Sequence, residues 1–286
     1  MHHFRPISLC NISYKIITKI LANRLKSILP KIISPLQSAF VPSRNIQDNI
    51  VLAHELLHSY KLKKGKEGFM FLNMDMEKAF DKMEWVFILS IMEKLGFHPT
   101  WISWIKLRIS SSSFSIVLNG NPFGNFSPER GLRQGDPISP FIFIIGTEVL
   151  SRLLFREEAI GNLRGLKISR NSLAIHHLLF ADDLLIFGKA TPKEAHSIHD
   201  YLEKYCLWSE QSINSKKSSI SFSKNTNPST IALILNVLPY SLNPANTTYL
   251  GLPILFGNSK KDAFQNIIDR VNSKMDGWRA RTLSQA

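Results

Sequence analysis

Apolar residues recur along this chain at two spacings, and the switches between them mark out its elements. Residues 12–29 put Ile16, Ile20, Leu21, Leu25 and Leu29 on one side and Lys15, Lys19, Arg24 and Lys26 on others. That predicts an amphipathic helix bounded by Pro30 and Pro35. A second helix is expected over 46–60, followed by a solvated loop at 61–66. Phe69–Met74 is a short, mostly apolar run, as in a buried strand, and it ends on Asp75. Phe80, Met83, Phe87, Ile91 and Leu95 then share one helical face, with Gly96 as the stop. Phe114–Leu118 reads as a strand and Asn119-Gly120 as a hairpin turn. Ser139 and Pro140 open a helix that runs to about Glu158. Residues 175–187 form a hairpin, and Thr191-Pro192-Lys193-Glu194 is a capping box for a helix to about Trp208. Strands are expected at 218–222 and 249–254, and the helical pattern returns from Lys260. This order suits an α+β fold, an antiparallel or mixed sheet with helices on one face.

Composition narrows the class. A chain of 286 residues buries a core and suits one large domain or two to three subdomains. Hydrophobic content of 44% with 20% charged residues excludes a disordered chain. The formal net charge is +13, concentrated at the front: residues 1–66 carry 11 Lys/Arg against 2 Asp/Glu, the remainder 24 against 20. Such a front end suits a polyanionic partner, nucleic acid or an acidic membrane surface; a merely soluble basic domain reads the same on charge alone. Cys10 and Cys206 cannot make a disulfide framework, and no spacing suggests zinc, so a reducing intracellular setting is expected. The first residues lack a signal-peptide core and no run reaches bilayer length. The chain begins inside what reads as structure and stops inside a helical pattern, as an excised piece of a longer protein would.

The chemistry concentrates at Phe180-Ala181-Asp182-Asp183, two adjacent carboxylates inside an apolar run. Paired anions beside a buried strand repel and lose hydration, and a divalent cation would compensate, with oxygen ligands suiting Mg²⁺. A plain hairpin whose turn holds two Asp remains open on these residues alone. Asp75 ends the other buried strand. If the two strands are neighbours, three carboxylates meet and could hold two ions roughly 3.5–4 Å apart, the layout for in-line phosphoryl transfer. A strand-end or capping role for Asp75 stays open as well.

Seven segments in order carry a family resemblance. Residues Asn73-Met74-Asp75-Met76-Glu77-Lys78-Ala79-Phe80-Asp81 resemble motif A of reverse transcriptases, Arg130-Gly131-Leu132-Arg133-Gln134-Gly135-Asp136-Pro137-Ile138-Ser139-Pro140 their motif B, and Phe180-Ala181-Asp182-Asp183 their motif C. Phe4-Arg5-Pro6-Ile7-Ser8-Leu9 and Gln37-Ser38-Ala39-Phe40-Val41-Pro42-Ser43-Arg44 resemble the two upstream finger motifs. Residues 212–218 are similar to motif D and Tyr249-Leu250-Gly251-Leu252-Pro253 to motif E. The wording is closest to plant non-LTR, LINE-type retrotransposons.

The resemblance implies a right-hand polymerase: fingers at 1–68, palm at 69–256 and the start of a thumb at 257–286. It implies RNA-directed DNA synthesis from dNTPs on an RNA template and a DNA primer, with two Mg²⁺ (Mn²⁺ as a substitute) and no membrane. A nuclear location follows by resemblance, as does an endonuclease region and a Cys/His-rich segment elsewhere in a longer polyprotein. Asp75 and Asp182 would be the main metal ligands, helped by Asp183 and the Met76 carbonyl. Phe80 would exclude the 2′-hydroxyl of an rNTP, though it also falls on an apolar helix stripe. Gln134 and Gly135 would line the nucleotide pocket. Lys217 would protonate the pyrophosphate. Arg5, Lys15 and Arg44 would meet triphosphate or template phosphates, and Tyr249, Leu250 and Gly251 would support the primer end. Asp81 and Glu84 read as partners of Lys78 or Lys82, and Asp136 as a loop stabiliser. Ser43 and Glu210 stand where the family usually has glycine. An inactive remnant that only binds nucleic acid is the alternative, and an RNA-dependent RNA polymerase or a group II intron maturase are further ones.

Overall fold

The computed structural model describes residues 10–63, 65, 67–169, 171–243, 247–254 and 260–283. The leading segment forms α1 (Ile12–Lys26) and α2 (Leu29–Ile32), so Pro30 sits in the first turn of α2 instead of closing a single helix. The buried stripe of α1 is Thr18, Leu21, Ala22 and Leu25, whereas Ile16 and Ile20 are exposed. Thr18 is admitted to that stripe because its hydroxyl donates to the Tyr14 carbonyl one turn back. Next come α3 (Ile46–Leu62), β1 (Phe69–Met74), α4 (Ala79–Lys82), α5 (Trp85–Lys94) and α6 (Pro99–Ser110). The helix expected after Asp75 is therefore two helices: Lys78 has left-handed backbone (φ 49°) and Met83 is extended.

Beyond them lie β2 (Phe114–Leu118), β3 (Asn121–Phe126), α7 (Ser139–Ala159), β4 (His177–Phe180), β5 (Asp183–Lys189), α8 (Pro192–Ser209), β6 (Ser219–Phe222), α9 (Pro228–Val237), β7 (Ser241–Leu242), β8 (Thr248–Tyr249), β9 (Leu252–Pro253) and α10 (Lys260–Leu283). The segment whose spacing reads as one strand near 249–254 is a hairpin, as the motif E resemblance implies, because Leu250 and Gly251 both take positive φ (50° and 82°). α6 and α9 went unread in the sequence; each opens on a proline in the first turn after a side-chain cap, His98 and Asn227.

One five-stranded sheet in the order β4-β5-β1-β6-β7 organises the chain. Its pairings are antiparallel except β6 with β7, which is parallel over two residues. The period-2 alternation of side chains gives each face its own core. Met70, Leu72, Met74, Leu184, Ile186 and Ile220 join residues of α1, α5, α7, α8 and α9. Phe71, Leu178, Leu185 and Phe187 join Ala53, Leu56, Leu57 and Tyr60 of α3, with Tyr249 and Ile254. The expectation of helices on one face is corrected here: α3 covers the second. β1 shows why, since a strand apolar at nearly every position needs cover on both sides. Among the described residues no helix is long and apolar enough to cross a membrane.

Candidate active site

β1 ends at Met74, and the backbone beyond it is stitched to the segment that leads into β6. Met76 bridges Ile213, and the Glu77 N–H donates to the Ser212 carbonyl at 2.8 Å. The Asn214 N–H donates to the Asp75 carbonyl at 2.8 Å, and the Asp75 N–H donates to the Ser218 hydroxyl at 3.1 Å. Both main-chain groups of Asp75 are thereby satisfied, leaving its carboxylate as the group on offer. Lys217 Nζ lies 3.6 Å from Asp75 Oδ2, with side chains 63% and 28% exposed. At that exposure water screens the pair and it is worth little to stability.

β4 and β5 turn at Ala181 and Asp182, with Phe180 paired to Asp183. Ala181 has φ 57°, left-handed backbone that an L side chain rarely adopts. β5 runs antiparallel to β1, the pairing ends with Met74 opposite Leu184, and Asp75 and Asp183 are the next residues along at that end of the sheet. Alternation puts both residues on the α3 face, where Tyr249 is buried. Burial pushes the Tyr249 phenol well above its usual range, and the negative charge of Asp183 adds to it. The phenol donates to Asn49 Oδ1 at 2.9 Å.

Among the described residues no group of three or more His, Cys, Asp or Glu is gathered closely enough to hold a metal ion. Register brings Asp75 and Asp183 to one end of the sheet, while the ammonium of Lys217 stands beside Asp75. The donor chemistry fits Mg²⁺: carboxylate oxygens on half-buried positions at one end of the sheet.

The loop at 130–138 packs against α4. The Leu132 N–H donates to the Phe80 carbonyl at 2.7 Å, and Gly131 (φ 86°) passes so close that a Cβ would lie 2.6 Å from the Asp81 carbonyl oxygen. Gln134 Nε2 donates to Asp81 Oδ1 at 3.2 Å, and Gly135 has φ 101°. Phe80 is half-buried and stacks on Phe143 with ring centroids 4.4 Å apart. Asp136 is a loop stabiliser as expected: Oδ1 accepts from the Ile138 N–H and Oδ2 from the Tyr14 hydroxyl, at 3.2 and 2.8 Å.

Other expected contacts differ. Arg44 donates its guanidinium to the carbonyls of Ile33, Ser34 and Gln37, which commits it to the fold of its own loop. Lys15 is exposed on α1, and Arg5 lies outside the described residues. Asp81 serves Gln134 and not a lysine, while Glu84 caps α5 by accepting from the Val86 N–H at 3.2 Å. Leu250 and Gly251 form the β8–β9 turn, and a cavity of about 240 Å³ opens between Gly251, Leu252 and the α10 residues Ile267, Arg270, Val271 and Lys274. Sequence reasoning missed Gln37, Asn49, Ser218 and Asn214. Gln37, Asn214 and Ser218 each had a signal, since they lie in segments that carry the resemblance; Asn49 is a polar residue whose Leu179 and Tyr249 partners are 130 and 200 positions away.

Three comparisons bear on this arrangement. Residues 1–254 match a family model described as reverse transcriptase (RNA-dependent DNA polymerase). The chain is 30% identical over 217 residues to a transposon TX1 uncharacterized 149 kDa protein of Xenopus laevis, covering 76% of this chain and 16% of that protein. It is 31% identical over 187 residues to the retrovirus-related Pol polyprotein from the type-2 retrotransposable element R2DM of Drosophila melanogaster, covering 65% of this chain and 16% of the polyprotein. It is 57% identical over 68 residues to an uncharacterized mitochondrial protein of Arabidopsis thaliana, covering 24% of this chain and 56% of that protein. Among solved structures it is similar to telomerase from Candida albicans with a TWJ fragment of telomeric RNA (TM-score 0.53, 12% identity, 74% of this chain and 35% of that one). The similarity to apo telomerase from Candida tropicalis is of the same kind (TM-score 0.52, 12% identity, 75% of this chain and 41% of that one). At such identities the likeness concerns the fold, a right-hand polymerase arrangement of helices and antiparallel sheet.

Proposed function

The chain belongs to the reverse transcriptase (RNA-dependent DNA polymerase) family, and we propose that it joins dNTPs to a primer 3′-hydroxyl on an RNA template, as part of a non-LTR retrotransposon protein. The observation that carries this reading is the register of β1 and β5, which ends with Met74 opposite Leu184, so that Asp75 and Asp183 follow at one end of the sheet with Asp182 in the adjoining turn. Asp75 and Asp182 would hold Mg²⁺, assisted by Asp183 and the Met76 carbonyl. When bound, the metal would lower the pKa of the attacking hydroxyl and draw charge off the pyrophosphate.

The chain's own groups set the rest. Lys217, beside Asp75, is the donor we assign to the leaving pyrophosphate. Gln134, held by Asp81, and Gly135 would form the floor of the nucleotide pocket. The Phe80 ring, backed by Phe143, would meet the sugar and disfavour a 2′-hydroxyl. Tyr249, Leu250 and Gly251 would support the primer end, with Arg270 and Lys274 of α10 gripping phosphates across the adjacent cavity. The regions 1–68, 69–256 and 257–286 would act as fingers, palm and the start of a thumb. The Arabidopsis match supports a plant element.

Primer extension on an RNA template with Mg²⁺ tests the reading. Wild type should extend, and Asp182→Ala should fall by about 10³-fold, equivalent to about 4 kcal/mol of barrier. Absence of extension by wild type would favour a remnant that binds nucleic acid without copying it. Phe80→Ala should admit rNTPs; an unchanged sugar preference would remove the gating role.

A further inference from the structure

We propose that Gln37 is a positioning residue for the carboxylate-bearing turn: its buried carboxamide holds Ala181 in left-handed backbone and thereby aims Asp182. The inference rests on the reading of Asp182 as a metal ligand. Gln37 is 1% exposed. Its Oε1 accepts from the Ala181 N–H at 3.1 Å and from the Ala39 N–H at 2.9 Å. Its Nε2 lies 3.4 Å from Thr147 Oγ1 on α7 and 3.5 Å from the Ala181 carbonyl oxygen.

The backbone around it reinforces the hold. The Leu179 N–H donates to the Leu36 carbonyl at 2.8 Å, and the Ser38 N–H donates to the Leu179 carbonyl at 3.1 Å. Residues 36–38 thus run parallel to β4, with Gln37 beside Leu179, and deliver the carboxamide to the first residue of the turn. A second arm comes from Asn49, 2% exposed, whose Nδ2 donates to the Leu179 carbonyl at 3.0 Å and whose Oδ1 accepts from Tyr249. One side chain therefore ties the expected primer-support residue to the strand that ends in the turn.

Physical chemistry argues for purpose here. A carboxamide buried this deeply is unfavourable unless its groups are bonded, and an apolar side chain would fill the space without that penalty. The turn needs help, because alanine resists φ 57° and a glycine would not.

The test compares the full chain as wild type, Gln37→Leu, Ala181→Gly, the double variant and Asp182→Asn. Gln37→Leu should raise the Mg²⁺ concentration for half-maximal primer extension about tenfold and leave the dNTP KM within about twofold. It should also speed hydrogen exchange at the Ala181 amide. Ala181→Gly should restore most of the Mg²⁺ response in the Gln37→Leu background, since glycine takes the turn unaided. The proposal is overturned by an unchanged Mg²⁺ requirement, or by a loss that tracks thermal melting and that glycine does not recover. If wild type and Asp182→Asn behave alike, the functional reading has failed and amide exchange decides alone. Equal exchange at Ala181 with and without Gln37 would then sink the clamp, and faster exchange would uphold it.

Discussion

The hairpins β2–β3 and β4–β5 each turn on two residues, and they are held in opposite ways. β2–β3 turns at Asn119 and Gly120 (φ 50° and 84°), residue types that take left-handed backbone readily. Its strands lie open to solvent, with Val117 68% and Phe123 74% exposed. β4–β5 turns at Ala181 and Asp182, where alanine sits at φ 57°, and its strands are buried over 177–179 and 184–188. The first hairpin is specified by its own turn. The second has given up a good turn former to place a carboxylate, and its geometry is imposed from α3, from residues 36–38 and from β1. Local sequence decides where function makes no demand; tertiary contacts decide where it does.

Substitutions can separate these two kinds of support. The largest expected contrast lies in the strands. Leu185→Ala should cost about 3 kcal/mol through a core cavity, while Val117→Ala should stay within about 0.5 kcal/mol, both read by urea unfolding. Equal losses would show that the open hairpin is packed in solution.

Acid comes next, because β4 starts at a buried imidazole pair. His177 Nδ1 lies 2.6 Å from His176 Nδ1, and His177 Nε2 lies 2.7 Å from Ser151 Oγ. Burial pushes His176 down to about 4, and His177 is lowered by burial and by its neighbour. The unfolded chain therefore takes up these protons first. Stability should be full above pH 6.5 and fall as pH drops toward 4, by at most about 3 kcal/mol for His176. Melting curves between pH 7 and 4 check it, and His176→Asn should flatten the response.

Tyr249→Phe removes the donor to buried Asn49 and should cost about 1–3 kcal/mol with no cavity formed. Smallest are the turns themselves, with opposite signs. Gly120→Ala should destabilise by about 1 kcal/mol, whereas Glu210→Gly and Ser43→Gly should each stabilise by about 0.5–1 kcal/mol, measured by calorimetry. Glu210 and Ser43 have φ 57° and 65°, and the Arg130–Glu210 pair lost with Glu210, at 3.4 Å and half exposed, adds little.

Much of this was legible in the chain. The β1 run, the Asn119-Gly120 turn, the α8 cap and the long α7 follow from periodicity and turn chemistry, and all were read with the right type. The two departures from glycine, Ser43 and Glu210, fall on left-handed backbone, so the family pattern located strain that spacing alone could not. What stayed hidden was relational. Ile16 and Ile20 share a stripe with Leu21 and Leu25, yet the neighbours of α1 cover only one side of it. Arg44 reads as a free cation until three carbonyls of its own loop close on it. Asn49 is one more polar residue on an amphipathic helix until the fold sets it between Leu179 and Tyr249, 130 and 200 positions away.

The contact between residues 36–38 and β4 has a further consequence, for assembly. An outermost strand offers its unpaired amides and carbonyls to any second chain that can lie alongside it. On the β4 side the Leu179 N–H and carbonyl are engaged by Leu36 and Ser38, so a second chain cannot pair with the strand at that residue. The opposite edge of the same sheet is β7, among the described residues only Ser241 and Leu242, and so a short template for a second chain.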